Sequence, residues 1–139
     1  MRNLQLRLVT MLLAAMPFGM GATTAAAKFL DCAVSPGDDD NNWLTERYVF
    51  KIDEAEGTVL VDDGLIEYVN KGPISGDLVE NSDVRIVVAW DLITLSRSGQ
   101  RTKMIFRGTY FVKLKQFQLR SKPMGYRNDY EANGTCVIS

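Results

Sequence analysis

In the stretch 43–53, Leu44, Tyr48, Phe50 and Ile52 fall on one parity, while Arg47 and Lys51 fall on the other. Alternation with period two, carried by aromatic and β-branched residues, predicts a strand with one buried face. The same reading predicts strands at 58–61 (TVLV), 65–69 (LIEYV) and 74–80 (ISGDLVE). Between them lie EAEG at 54–57, DDG at 62–64 and NKGP at 70–73. These are turn compositions, with Gly64 available for a positive φ in a tight hairpin. Short strands joined this closely should be antiparallel neighbours in a meander.

The strongest apolar run after the N-terminal segment is VRIVVAWDLITL, residues 84–95. Val84, Ile86, Val88, Trp90 and Leu92 alternate, but Val87, Ala89 and Ile93 make the other parity apolar as well. A helical spacing also fits, yet the β-branched content favours a strand. A strand apolar on both faces is either covered on both or contributes to an exposed patch. SRSGQR, residues 96–101, reads as a polar hairpin loop. From 102 to 120 Gly108 is the only turn signal. Extended, that stretch would span roughly 60 Å, too long for a straight strand in a small domain. Its apolar parity changes from even (Met104, Phe106, Tyr110, Val112, Leu114) to odd (Phe117, Leu119), which predicts a bulge or break near Lys115 and Gln116. Gly108 marks a second place for strong coiling. SKPMG at 121–125 is a turn, 126–134 a polar arm, and TCVIS a short last strand. Residues 33–42, AVSPGDDDNN, read as a loop. The expectation is an all-β chain of seven to eight antiparallel strands with no helix after the N-terminal segment. It forms either a small barrel or a tightly packed sandwich, and closure would remove the edges that invite aggregation.

The first residues carry a different pattern. Arg2 and Arg7 precede an apolar run of about 13 residues, and small residues follow, ending in Ala25 and Ala27. That is the layout of a secretory signal peptide over residues 1–27, too short for a transmembrane helix. It predicts a single domain over 28–139, periplasmic or secreted, with no stable membrane anchor. Cys32 and Cys136 are the only cysteines. In an oxidising compartment they are expected to form a disulfide tying the ends of the domain together. Cys32 does not suit lipid attachment, because Phe29, Leu30 and Asp31 stand where small residues would be needed.

Composition removes much of the catalytic vocabulary. There is no histidine, hence no Ser-His-Asp or Cys-His catalysis and no His-ligated zinc. Nucleotide-binding glycine motifs and a C-x-x-C pair are missing too. Asp38, Asp39 and Asp40 suggest calcium, but an EF-hand loop starting at Asp38 would need Gly and Glu where Trp43 and Val49 stand. No cofactor or metal is implied. Charge, by contrast, is unevenly placed. Residues 28–83 hold 14 acids and 4 bases, whereas 84–139 hold 3 acids and 10 bases. Acidic and basic strands facing each other would cancel; a basic face left open would meet an anionic partner.

The function expected from these features is a non-enzymatic, exported binding module. Its candidate binding residues are Arg97, Arg101, Lys103 and Arg107, grouped around one hairpin. The partner would be a protein or an anionic envelope polymer rather than nucleic acid, since the exported chain is net acidic. The alternative is a carrier with a lipocalin-like barrel, in which Phe50, Trp90, Phe106 and Tyr110 line the ligand or fill the core. A remoter reading is a hydrolase working with carboxylates such as Asp91, which interrupts an apolar strand.

Overall fold

A computed structural model describes residues 19, 21, 26–37 and 43–139. The expected signal peptide and the Asp38–Asp40 acids therefore lie almost wholly outside the described residues. Eight strands follow in order: β1 Lys28–Ser35, β2 Arg47–Asp53, β3 Thr58–Asp63, β4 Ile74–Asn81, β5 Arg85–Leu95, β6 Arg101–Phe111, β7 Gln116–Pro123 and β8 Tyr130–Ile138. One helix, α1 Gly64–Asn70, joins β3 to β4. The strands close in sequence order into an eight-stranded barrel, all pairs antiparallel. Of barrel and sandwich, the barrel is the one formed.

The closing seam is β1 against β8, in register from Leu30 opposite Ile138 to Ser35 opposite Asn133. Cys32 faces Cys136 directly and the two form the expected disulfide, 104 residues apart in the chain. The backbones approach so closely that a Cβ on Gly134 would lie 1.8 Å from the Ala33 carbonyl oxygen. Glycine is required there.

Several local expectations are corrected. Residues 65–69 are not a strand, and Gly64 is not a hairpin turn residue; together they form α1. Asp63 is its N-cap, accepting a hydrogen bond from the Ile66 N–H at 2.7 Å. Lys71, at φ 62°, ends the helix with its N–H on the Glu67 carbonyl. Leu65, Ile66 and Val69 suit helical spacing as well as they suit alternation, and the cap decides between the two. The missing eighth strand is β1, where Leu30, Cys32 and Val34 alternate inward. The 102–120 stretch is two strands, because the phase change is a hairpin turn over 112–115 with Lys115 at φ 53°. Gly108 is not a coiling point but a vacancy for a ring: a Cβ there would lie 2.8 Å from Phe117. The polar arm contributes to β8, which starts at Tyr130.

β5 is a strand, as its β-branched content predicts. Trp90 stacks on Phe106 at 5.2 Å with planes 5° apart, and Phe50 meets Trp90 edge-on at 5.4 Å. Tyr48 and Phe117 extend the same aromatic cluster. Apart from buried Asp63, the charged side chains of the strands point outward, so the pattern is the reverse of a lipid-facing barrel, which is apolar outside. The two ends differ. Turns of three or four residues close the lower end, which also holds the start of β1 and the finish of β8. At the upper end the connections are longer, carry α1, and hold buried Trp43 against Tyr126 and Tyr130.

Candidate interaction surface

The barrel places the charge imbalance of the sequence around its wall. β1–β4 form one half, rich in acids; β5–β8 form the other, rich in bases. Ion pairing does little to join them. Asp31 takes both Nε and a terminal nitrogen of Arg47, within the acidic half, at 2.8 and 2.6 Å. This bidentate contact lowers the Asp31 pKa, with its burial opposing slightly. Lys28 pairs with Glu54, which lowers the Glu54 pKa chiefly through that contact. In the basic half, Lys103 holds Asp91 at 3.0 Å and Arg120 holds Glu131 at 2.9 Å. Only Arg85–Glu80, at the β4–β5 turn, links the halves among the described ion pairs. Each half thus pairs part of its minority charge within itself, Lys28 and Arg47 in one and Asp91 and Glu131 in the other, and keeps most of its excess.

The excess cations stand on the outer face of β6 and β7. Along β6, Thr102, Met104, Phe106 and Tyr110 point inward, while Arg101, Lys103, Ile105 and Arg107 point outward and are exposed. Register sets Arg107 directly opposite Arg120, and Lys122 opposite Ile105. Like charges directly across a ladder are destabilising, and Arg107 has no described ion pair. Arg101, Lys122 and Arg127 likewise have none among the described residues.

The four cations expected to group around one hairpin tip are therefore redistributed. Arg97 is at the tip, between β5 and β6. Arg101 opens β6, and Arg107 lies roughly 20 Å further along it at the usual rise. Lys103 is committed to Asp91. The arrangement is a stripe rather than a tip. Sequence reasoning missed Arg120 and Lys122, whose alternation on β7 was visible but whose register beside Arg107 was not.

Phe50, Trp90, Phe106 and Tyr110 are all buried, at 1–4% exposure, and pack on other side chains. They fill the barrel. Asp91 is exposed and ion-paired. The carboxyl whose pKa is raised is instead Asp63, buried at the head of α1. Burial pushes its pKa up to about 6, against hydrogen bonds from the Ile66 and Leu65 amides that lower it; nearby Asp62 adds to the rise. Asp62 and Asp63 are successive strand residues and so point to opposite faces, which denies them the convergence of a catalytic carboxylate pair. Among the described residues no group of acids or cysteines is arranged to hold a metal ion, and no helix is long and apolar enough to cross a membrane.

Compared with known proteins, the chain matches no family model, no curated protein and no solved structure. The geometry alone carries the functional reading.

Proposed function

We propose that this chain is an exported, non-enzymatic binding module that docks through the basic half of its barrel on an anionic partner, a protein or an envelope polymer. The observation that carries this reading is the surplus of cations on β6, β7 and the adjoining loops. Asp91 and Glu131 are already engaged, and Asp129 is the only other acid among residues 84–139, so it cannot balance Arg101, Arg107, Lys122 and Arg127, none of which has an ion pair among the described residues. Arginine suits bidentate contact with carboxylates and phosphates. The filled interior weighs against the carrier alternative, and the solvent-facing, paired Asp91 against the carboxylate hydrolase. Export rests on the Arg2-to-Ala27 pattern and is consistent with the Cys32–Cys136 bridge.

The test is to recover a partner with the chain lacking residues 1–27 from envelope extract, then measure affinity against salt. Arg101→Ala with Arg107→Ala should bind more weakly and give a shallower salt dependence, because exposed contacts are screened near physiological ionic strength. Unchanged affinity and slope would remove the basic half from the function.

A further inference from the structure

The barrel is closed by hydrogen bonds over only part of its height. β5 pairs with β6 along its whole length, from Arg85 opposite Phe111 to Leu95 opposite Arg101. On its other side, pairing with β4 ends at Ala89, opposite Asp77. Continuing that register would bring Ile93 opposite Pro73, which has no N–H to give. The chain has by then turned away into α1. In the β5–β6 hairpin the Ser96 N–H bonds the Gln100 carbonyl at 2.8 Å. Even-numbered residues of β5 therefore direct their backbone at β6, and odd-numbered ones direct it the other way. The N–H and C=O groups of Ile93 and Leu95 consequently face the gap left by β4, and no hydrogen bond from α1 fills it.

That gap is a groove of about 1080 Å³ between α1 and the β5–β6 hairpin. Its flanks are apolar and unusually open: Tyr68 is 76% exposed, Leu95 60% and Ile93 51%. Lys71 borders it on the α1 side and Arg101 on the β6 side. An open strand edge, exposed apolar side chains and a cationic rim are the components of strand addition. In that mode the backbone supplies hydrogen bonds and alternate side chains supply selectivity. Soluble proteins usually protect such an edge. A second copy joined through the same edge would set Lys71 and Arg101 against their counterparts, so the charge selects a different chain.

We infer that this groove receives an extended segment of a partner protein, with acidic and apolar residues alternating, as an added strand on the β5 edge at Ile93 and Leu95. The inference rests on the reading of the basic half as a binding surface and names its partner class and mode. The probe is the acetylated, amidated peptide Glu-Val-Glu-Val-Glu-Val-Glu, with its Lys-Val counterpart as control. The protein is the chain without residues 1–27, disulfide intact. The acidic peptide should bind at low salt and slow hydrogen exchange at the Ile93 and Leu95 amides. Leu95→Pro removes an edge N–H whose loss β6 does not feel, and should weaken binding several-fold. Lys71→Glu with Arg101→Glu, which leaves the edge intact, should weaken it roughly tenfold. Binding without protection at Ile93 and Leu95, and indifferent to Leu95→Pro, would overturn the strand-addition inference while leaving the basic half as a docking surface. Equal binding of the Lys-Val peptide, preference for anionic lipid vesicles over the peptide, or no binding at low salt would also overturn it.

Discussion

The two halves of the barrel share one core and have opposite exteriors. β1–β4 are short, carry α1, and hold most of the acids; β5 and β6 are the longest strands, and β6 and β7 hold Arg101, Arg107 and Lys122, which have no ion pair among the described residues. Inside, the halves interlock, since Trp90 and Phe106 of one meet Tyr48 and Phe50 of the other. Outside, each pairs mainly with itself. Stability is therefore a property of the whole barrel, whereas the proposed binding belongs to one side. Perturbations of the inside and outside should separate accordingly.

The largest expected effect is at the seam. Replacing Cys32 and Cys136 with alanine frees a loop of 104 residues, and loop-closure entropy assigns that roughly 4–5 kcal/mol. Denaturant unfolding of the double variant should show it; a loss below about 1 kcal/mol would mean that the ladder alone holds the halves. Trp90→Ala should follow at roughly 3–5 kcal/mol, as buried aromatic truncations do, because it empties the contact between the halves. An effect near zero would contradict the interlocked core.

The acidic half carries the pH dependence that distinguishes it. The Asp63 pKa is raised from 3.8 to about 6 by burial. Protonated Asp63 therefore contributes stability that is fully present below about pH 4 and lost as pH rises through about 6, by up to roughly 3 kcal/mol. Asp63→Asn keeps a capping side chain and removes the titration. It should be more stable than wild type at pH 7, with the difference shrinking as pH falls from 6 to 4. A difference that stays constant with pH would mean that Asp63 is not the titrating group.

How far the sequence was legible follows from these elements. Period-two alternation revealed β2, because one face is packed and the other wet, whereas β5, apolar on both parities, was legible from its β-branched content. α1 was not legible, since seven residues satisfy both periods and only the Asp63 cap decides. β1 was hidden beside the apolar N-terminal segment, and its second half was read as part of a loop over 33–42. The turn at 112–115 left only a change of parity, because its left-handed residue is Lys115 rather than glycine. The disulfide was legible because two cysteines permit one pairing. At the candidate surface, the identity of the cations was legible but not their neighbours. Register puts Arg120 beside Arg107, and the open β5 edge depends on where β4 stops. Neither is a local property of the chain.

The smallest stability effect sharpens the contrast most. Arg107→Glu replaces a like-charge pair across from Arg120 with an opposite one, and should stabilise by roughly 0.2–1 kcal/mol while weakening binding of an anionic partner. Thermal unfolding and affinity measured on the same variant should move in opposite directions. If both fall together, Arg107 has a structural role.

The central claim is that the bases of β6 and β7 carry the binding and the acids of β1–β4 do not. It is tested most directly by neutralising three charges on each side and comparing affinity for the recovered partner across a salt series. The account predicts that Arg101→Ala, Arg107→Ala and Lys122→Ala together lose affinity and flatten the salt slope. It predicts that Asp53→Asn, Glu56→Gln and Asp77→Asn together leave affinity unchanged or raise it. Equal losses from both sets, or loss from the acidic set alone, would contradict it.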